Sequence, residues 1–371
     1  MSKRLLLGVA ALFGALCLPA VEISPGEDLL AAAAEHPLVK LLPGEHQLPA
    51  ALVVSRDLTL LFENGATLSG ALPELIVHQS GWLIIEGIGK PGVLRSLAGA
   101  GKRGYNSEKR HNIIDLNTAW PAPGTPRLRV HNMHFYAYNG IDGYWNKPDR
   151  ASLGEIEITQ CHFYCEEKGI GFNFVEVAAL RVENCLFEGL DEAIQADCPL
   201  PGGAIIRGNV IRDFGRRGIW LGKGGQIAEG CTEHLANAVV HDNQLLSGGQ
   251  RSTLNDSYIF GILIYGHNVS VQGNIVRDVN RGVAVPGEIG QVLRGSEGEL
   301  IKGIRIETEQ AKRRRLAGAA IYLKANRALV QGNICTNSGW RSVIEIKTGG
   351  KEHFVSVINN LVDGRALSQE E

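Results

Sequence analysis

The chain has 371 residues, with 37 basic and 39 acidic side chains, a formal charge of −2 and 44% hydrophobic residues. A balance this even excludes a globally polybasic surface, so no nucleic-acid partner is expected, although local patches can still attract anions. Length alone would suggest two domains, a prior that the internal pattern below replaces with one.

In chain order, MSKRLLLGVAALFGALCLPA comes first. It sets Lys3 and Arg4 ahead of an apolar run from Leu5 to Leu18 and ends on small Ala20. This is the pattern of a secretory signal peptide, too short and wrongly flanked for a stable span. Residues 1–20 are therefore expected to be removed, leaving an exported chain without a membrane span, in the periplasm, on the cell surface or outside the cell. Six cysteines then remain, Cys161, Cys165, Cys185, Cys198, Cys231 and Cys335, and no CxxC or His-Cys cluster marks a structural zinc site. Mostly buried thiols are expected, with one bridge possible in an oxidising compartment.

From Pro25 to Pro37, GEDLLAAAAEH reads as a short amphipathic helix, expected over about 25–37 as the cap of an open-ended fold. LVKLLPGEHQL, ALVVSRDLTLLFENGATL and ELIVHQSGWLIIEGIG read as early strands. SLAGAGKRGYNSEKRHN is a Gly- and charge-rich excursion, and its Gly101-Lys102 is followed by Arg103, which breaks a phosphate-loop pattern. No linker divides residues 21–371. The closing LSQEE is polar and offers no obvious cap.

The central signal is repetition. VQGNI occurs twice, with Asn274 and Asn333 in the same place. A template of apolar residue, two free positions, ladder residue, one free position and apolar residue fits Val130/Met133/Phe135, Ile158/Cys161/Phe163, Val182/Cys185/Phe187, Ile206/Asn209/Ile211 and Val240/Asn243/Leu245. It fits again at Val271/Asn274/Val276, Ile301/Ile304/Ile306, Val330/Asn333/Cys335 and Val357/Asn360/Val362, at spacings of 24 to 34 residues. A second short strand alternates with it at Ile141, Ile170, Ile194, Ile219, Ile262, Val283, Ile321 and Ile344. Short apolar strands at this period, with no helical pattern, predict a solenoid whose units share one stacked core. Asparagine at an inner turn tolerates the bend, and its amide can bond the coils on either side. The chain from Val39 to Val362 thus resembles the right-handed parallel β-helix of the pectate-lyase-like superfamily, which implies an all-β, single-domain solenoid.

Because strand residues alternate in direction, the residues one and three after each core isoleucine are expected to face out. One outward column reads Asp142, Gly171, Gln195, Trp220, Leu263, Ala284, Tyr322, Glu345, and the next reads Tyr144, Asn173, Asp197, Gly222, Tyr265, Pro286, Lys324, Lys347. Rings stack on sugar C–H faces and polar groups bond hydroxyls, so Tyr144, Asn173, Asp197, Trp220, Tyr265 and Tyr322 are candidate saccharide-binding residues. The competing reading is a solvated sheet face with scattered aromatics.

Two catalytic readings compete. Lys324 and Lys347 lie on successive strands, about 4.8 Å apart at backbone level. Repulsion between them favours one neutral amine, the base that β-elimination from a uronate requires. A cation or a calcium ion must neutralise the substrate carboxylate, and Glu345 lies close by in sequence. VIEIKTGG also resembles the lysine-bearing strand of alginate-lyase and chondroitinase-B-type lyases, which implies Lys347 as the base; the arginine expected one coil later finds only Arg365, at an approximate spacing. VENCLFEGLDEAIQAD is similar to the paired-aspartate strand of polygalacturonases, which implies Asp191 and Glu192 as acid and water-activating carboxylates. Lys168, Arg216 and Arg217, and Glu307 depart from that family's pattern. Asp142 and Asp197, two coils apart, could flank a sugar ring or hold calcium only through long loops, and the lysine pair is expected five coils from Asp197. A third class, a glycan-binding or adhesive β-helix without catalysis, fits the same aromatic stripe.

Overall fold

The computed structural model describes residues 20–97, 111–116, 125–144, 152–173, 175–222, 237–249, 259–279, 319–336, 338, 344–347 and 354–370. These residues form one continuous sheet of 29 strands and one short helix. All strand pairings are parallel except the last. The sheet winds as a parallel β-helix, whose crossovers are right-handed by the rule that governs parallel connections.

Three core columns run the length of the solenoid. The first stacks Ile76, Ile114, Ile141, Ile170, Ile194, Ile219, Ile262, Ile321 and Ile344. The second stacks Leu60, Ile85, Val130, Ile158, Val182, Ile206, Val240, Val271, Val330 and Val357. The third stacks Leu94, Phe135, Phe163, Phe187, Ile211, Leu245, Val276, Cys335 and Val362. Phe135, Phe163 and Phe187 stack face to face at 4.5 and 4.7 Å. Each coil buries its apolar residues only against its neighbours, so the core is continuous by construction.

The ladder residues form a chain of amides. Asn209, Asn243, Asn274, Asn333 and Asn360 are fully buried, and each of the first four donates through Nδ2 to the next one's Oδ1 at 2.9–3.0 Å. Asn274 is bonded directly to Asn333, and Val271 pairs with Val330. This corrects the expected repeat count. Val283 and Ile301/Ile304/Ile306 lie outside the described residues, and the register leaves no coil for them between those two strands. An isoleucine at the ladder position would interrupt the amide chain.

The second "free" position of the template is also constrained. Asn132, Gln160, Asn184, Gly208, Asp242, Gly273, Gly332 and Asn359, each just before a ladder residue, all have φ between 51° and 65°. Glycine, asparagine and aspartate accept that left-handed backbone; glutamine does so at a cost. Gln160→Asn is therefore expected to stabilise the protein by about 0.5–1 kcal/mol. The check is a rise in denaturation midpoint at unchanged slope.

Both ends are covered. The helix Leu29–Glu35, inside the expected 25–37 segment, buries Leu29, Ala32 and Ala33. Asp28 caps it by accepting from the Ala31 N–H, and Arg56 donates to the Ala33 and Ala34 carbonyls at its other end. At the far end the expectation of no cap is wrong. Arg365–Glu370 turns back antiparallel on Phe354–Val362 through Asp363-Gly364, whose φ values of 46° and 78° suit a tight hairpin. The five described cysteines, Cys161, Cys165, Cys185, Cys198 and Cys335, are buried thiols; Cys231 lies outside the described residues.

Outside the third column, Tyr136 and Tyr164 stack at 4.8 Å beside His134 and His162. Burial, then the adjacent His134, push the His162 imidazole down to about 4 from 6.5, although its Nε2 stands 3.3 Å from Glu188 without hydrogen-bond geometry. His162 is thus neutral in the fold over a range where the unfolded chain binds a proton. Stability is expected to fall as pH drops from 6.5 towards 4, and His162→Asn should flatten that decline in denaturant titrations.

Candidate functional site

The outer face of the first column carries the residues expected to bind ligand. Its register aligns Asp115, Asp142, Gly171, Gln195, Trp220, Leu263, Tyr322 and Glu345 in one row. A second row aligns Tyr144, Asn173 and Asp197, and further along Tyr265, Lys324 and Lys347. Tyr144 and Lys347 are placed by their backbone.

A third row lies on the same face: Asn112, Asn139, Lys168, Glu192, Arg217 and Phe260. Strict alternation would turn these residues inward. Instead, a small residue precedes each core isoleucine from Ile141 to Ile321, and a Cβ at Gly140, Gly169, Gly218 or Gly261 would meet core side chains such as Phe163, Phe187, Leu245 and Val276. The glycine and the isoleucine both face in, so the residue before the glycine is turned out. The recurrent Gly-Ile pair was the available signal, and strict alternation missed it.

Charges in this row form a compact cluster. Arg217 Nη1 donates to Glu192 Oε1 at 2.6 Å, Arg216 Nη2 stands 3.5 Å from the same oxygen, and Arg216 Nε donates to Asp191 Oδ2 at 2.7 Å. Lys168 runs past Gly171 towards Asp142: a Cβ at Gly171 would lie 2.8 Å from both Lys168 Cδ and Asp142 Oδ1. Glu192 is 1% exposed. Burial alone would raise its carboxyl, but Arg216, Arg217 and Lys168 outweigh burial and hold it below the ordinary range. A general acid needs the opposite shift. Asp191 and Glu192 are thus tied into arginine pairs, in a geometry that gives the hydrolase reading no support. Asn173 and Gln195 are likewise buried and bonded to each other, at 3.0 and 3.4 Å.

Further along, the face becomes aromatic. Trp220, Tyr265 and Tyr322 pack around Phe260, Leu263 and Ala319 in a small apolar cluster outside the solenoid core. Phe260 and Tyr322 lie 5.3 Å apart, and Tyr265 and Tyr322 6.1 Å. The Arg217 guanidinium covers the Trp220 ring at 3.9 Å. The aromatic rings are therefore a partly buried, mutually supported ridge that joins the ion cluster to the lysines.

Lys324 pairs with Tyr265 on one side and Lys347 on the other, while Tyr322 pairs with Glu345. The direct pairing of Ile262 with Ile321 brings the lysines closer to the carboxylates than expected. Lys347 stands four coils from Asp197, about 19 Å at strand spacing, where the repeat count had given five, and Lys324 stands one coil nearer. Arg365 does not reach this face, since it pairs with Val362 beside the third core column. Among the described residues, no group of three His, Cys, Asp or Glu side chains could hold a metal ion, and Asp142 and Asp197 do not meet. No described helix is long and apolar enough to cross a membrane.

Fold and site together define a parallel β-helix with a charged and aromatic outer face. The chain matches no protein-family model and no curated protein.

Proposed function

We propose that the protein acts on an acidic polysaccharide, holding it along the Trp220–Lys347 face and cleaving it by β-elimination at the lysines. The observation that carries this reading is the register that sets Tyr265, Lys324 and Lys347 in one row, beside Tyr322 and Glu345 in the next. Aromatic rings there offer surfaces for sugar C–H faces, and two cations on adjacent strands attract a uronate carboxylate. In the reaction, one lysine amine takes the ring proton beside the carboxylate. The electron pair left behind forms the new carbon–carbon double bond as the glycosidic bond breaks, and the departing oxygen takes a proton from water. The second lysine offsets charge on the carboxylate as the carbanion develops. The leader-like N-terminal sequence, outside the described residues, supports export to where such polymers occur.

Mass spectrometry of oligosaccharides released from polygalacturonate, alginate and glycosaminoglycans tests the reading. Unsaturated fragments without added water, absent with Lys347→Ala, are expected. Fragments carrying added water would replace elimination with hydrolysis. Binding without fragments would leave a glycan-binding module.

A further inference from the structure

The ion cluster and the aromatic ridge meet in one pair, Arg217 and Trp220, and the pair has hydrogen-bonding capacity that no described residue uses. Arg217 is neutralised and held through Nη1 by the buried carboxylate of Glu192, 2.6 Å away. Its Nε–H is buried and finds no acceptor among the described residues, and the same holds for the Trp220 indole Nε1–H. The guanidinium carbon lies 3.9 Å from the ring centroid, so both donors belong to one contact. Buried polar groups are nearly always bonded, and each donor left without an acceptor costs about 1–3 kcal/mol. Two at one contact, with no described residue accepting from either, are donors that a ligand oxygen can satisfy. The contact reaches the surface at its edge, where the Arg217 side chain keeps 15% of its exposure and Trp220 is half-buried.

We propose that Arg217 and Trp220 form a subsite for an uncharged oxygen of the bound sugar chain: a hydroxyl, ring or amide oxygen. This deepens the glycan reading above and rests on it. A carboxylate suits the pair poorly, because the positive charge of Arg217 is already matched by Glu192 and what remains is donor capacity. The carboxylate belongs at Lys324 and Lys347. Trp220 aligns with Leu263 and then Tyr322, so Lys324 lies two coils on, about 9.6 Å at strand spacing, the span of a disaccharide. One face then reads two features of one polymer, neutral hydrogen bonding at one sugar and charge at another.

The two interactions differ in their response to salt, which separates them in solution. Calorimetric titrations would use hexasaccharides of galacturonate, of alginate and of an alternating uronate–N-acetylhexosamine polymer, with the tightest binder carried forward. Trp220→Phe keeps an aromatic ring and loses the N–H; Arg217→Lys keeps the charge beside Glu192 and loses the Nε–H and the planar guanidinium. Each is expected to weaken binding roughly fivefold to tenfold, by the same factor at low and high ionic strength. Lys324→Ala should lose affinity only at low ionic strength, because screening removes its contribution in either protein at high salt. Wild-type binding in both Trp220→Phe and Arg217→Lys, with Lys324→Ala still impaired, would overturn the subsite alone. A loss in both variants that vanished at high salt would also overturn it, by making the pair an anion site. A wild-type protein that binds none of the three hexasaccharides would overturn the glycan reading and the subsite with it.

Discussion

Asn274→Ala is expected to destabilise the protein by about 3–5 kcal/mol, a cost that Asn243 and Asn333, with the same four bonds, should share. Four hydrogen bonds disappear together. Asn274 Nδ2 donates to the Val240 carbonyl at 2.8 Å and to Asn333 Oδ1 at 2.9 Å, while its Oδ1 accepts from both the backbone and the side chain of Asn243 at 3.0 Å. None of the groups left behind can turn to water, since Asn243, Asn274 and Asn333 are fully buried. The penalty is therefore desolvation of several orphaned groups, which far exceeds the net worth of one exposed hydrogen bond. Asn268→Ala supplies the contrast: its amide bonds Asn237 at 3.1 Å on the surface, and its loss should fall within about 0.5 kcal/mol. Denaturant unfolding of both variants is the measurement. Equal effects would show that the amide chain is incidental to stability.

The repeat was legible because a solenoid writes the same constraint many times. The predicted isoleucine row from Ile141 to Ile344 is the observed register, save for Val283. The error between Asn274 and Asn333 came from a template built on apolar spacing, which Ile301/Ile304/Ile306 satisfies. The stricter requirement, an amide able to accept from the coil before and donate to the coil after, was visible in the sequence and was not imposed. Asp363-Gly364 was a second unread signal. An Asp-Gly pair between two strands is a hairpin turn by backbone preference alone, and it folds the polar tail onto the last coil.

The site was legible in rows and illegible in depth. Period-two alternation found Trp220, Tyr265, Tyr322, Lys324 and Glu345 on one face. It could not tell that Asn173 and Gln195 would bond each other under cover, or that the rings would pack on Phe260 and Leu263. Burial on an outer face depends on what lies over it, which local pattern does not encode. Lys168, Arg216 and Arg217 first drew notice as departures from a hydrolase pattern. In the fold Arg216 and Arg217 pair with Asp191 and Glu192, Lys168 adds its charge to Glu192, and the same residues that break one motif complete another arrangement.

That arrangement gives Glu192 a sharp expected behaviour. Glu192→Ala should cost about 3–5 kcal/mol, because one carboxylate faces Arg217 at 2.6 Å, Arg216 at 3.5 Å and the nearby Lys168, and its removal leaves buried cations uncompensated. Replacing Lys168 by Met in that background should restore part of the loss, a coupling that a double-mutant cycle reads directly. The pH dependence has a definite sign. The folded carboxyl titrates below its ordinary 4.5, so the unfolded chain binds the proton more readily in acid. The stabilisation is therefore complete above that value and is lost as pH falls through the depressed folded one, and Glu192→Gln should remove that part of the acid sensitivity. A catalytic acid would behave in the opposite way, with Gln abolishing turnover while the melting curve stayed in place. If Glu192→Gln leaves stability unchanged and eliminates cleavage, the arginine pairs are not what holds this carboxylate, and the hydrolytic chemistry returns to the centre of the molecule.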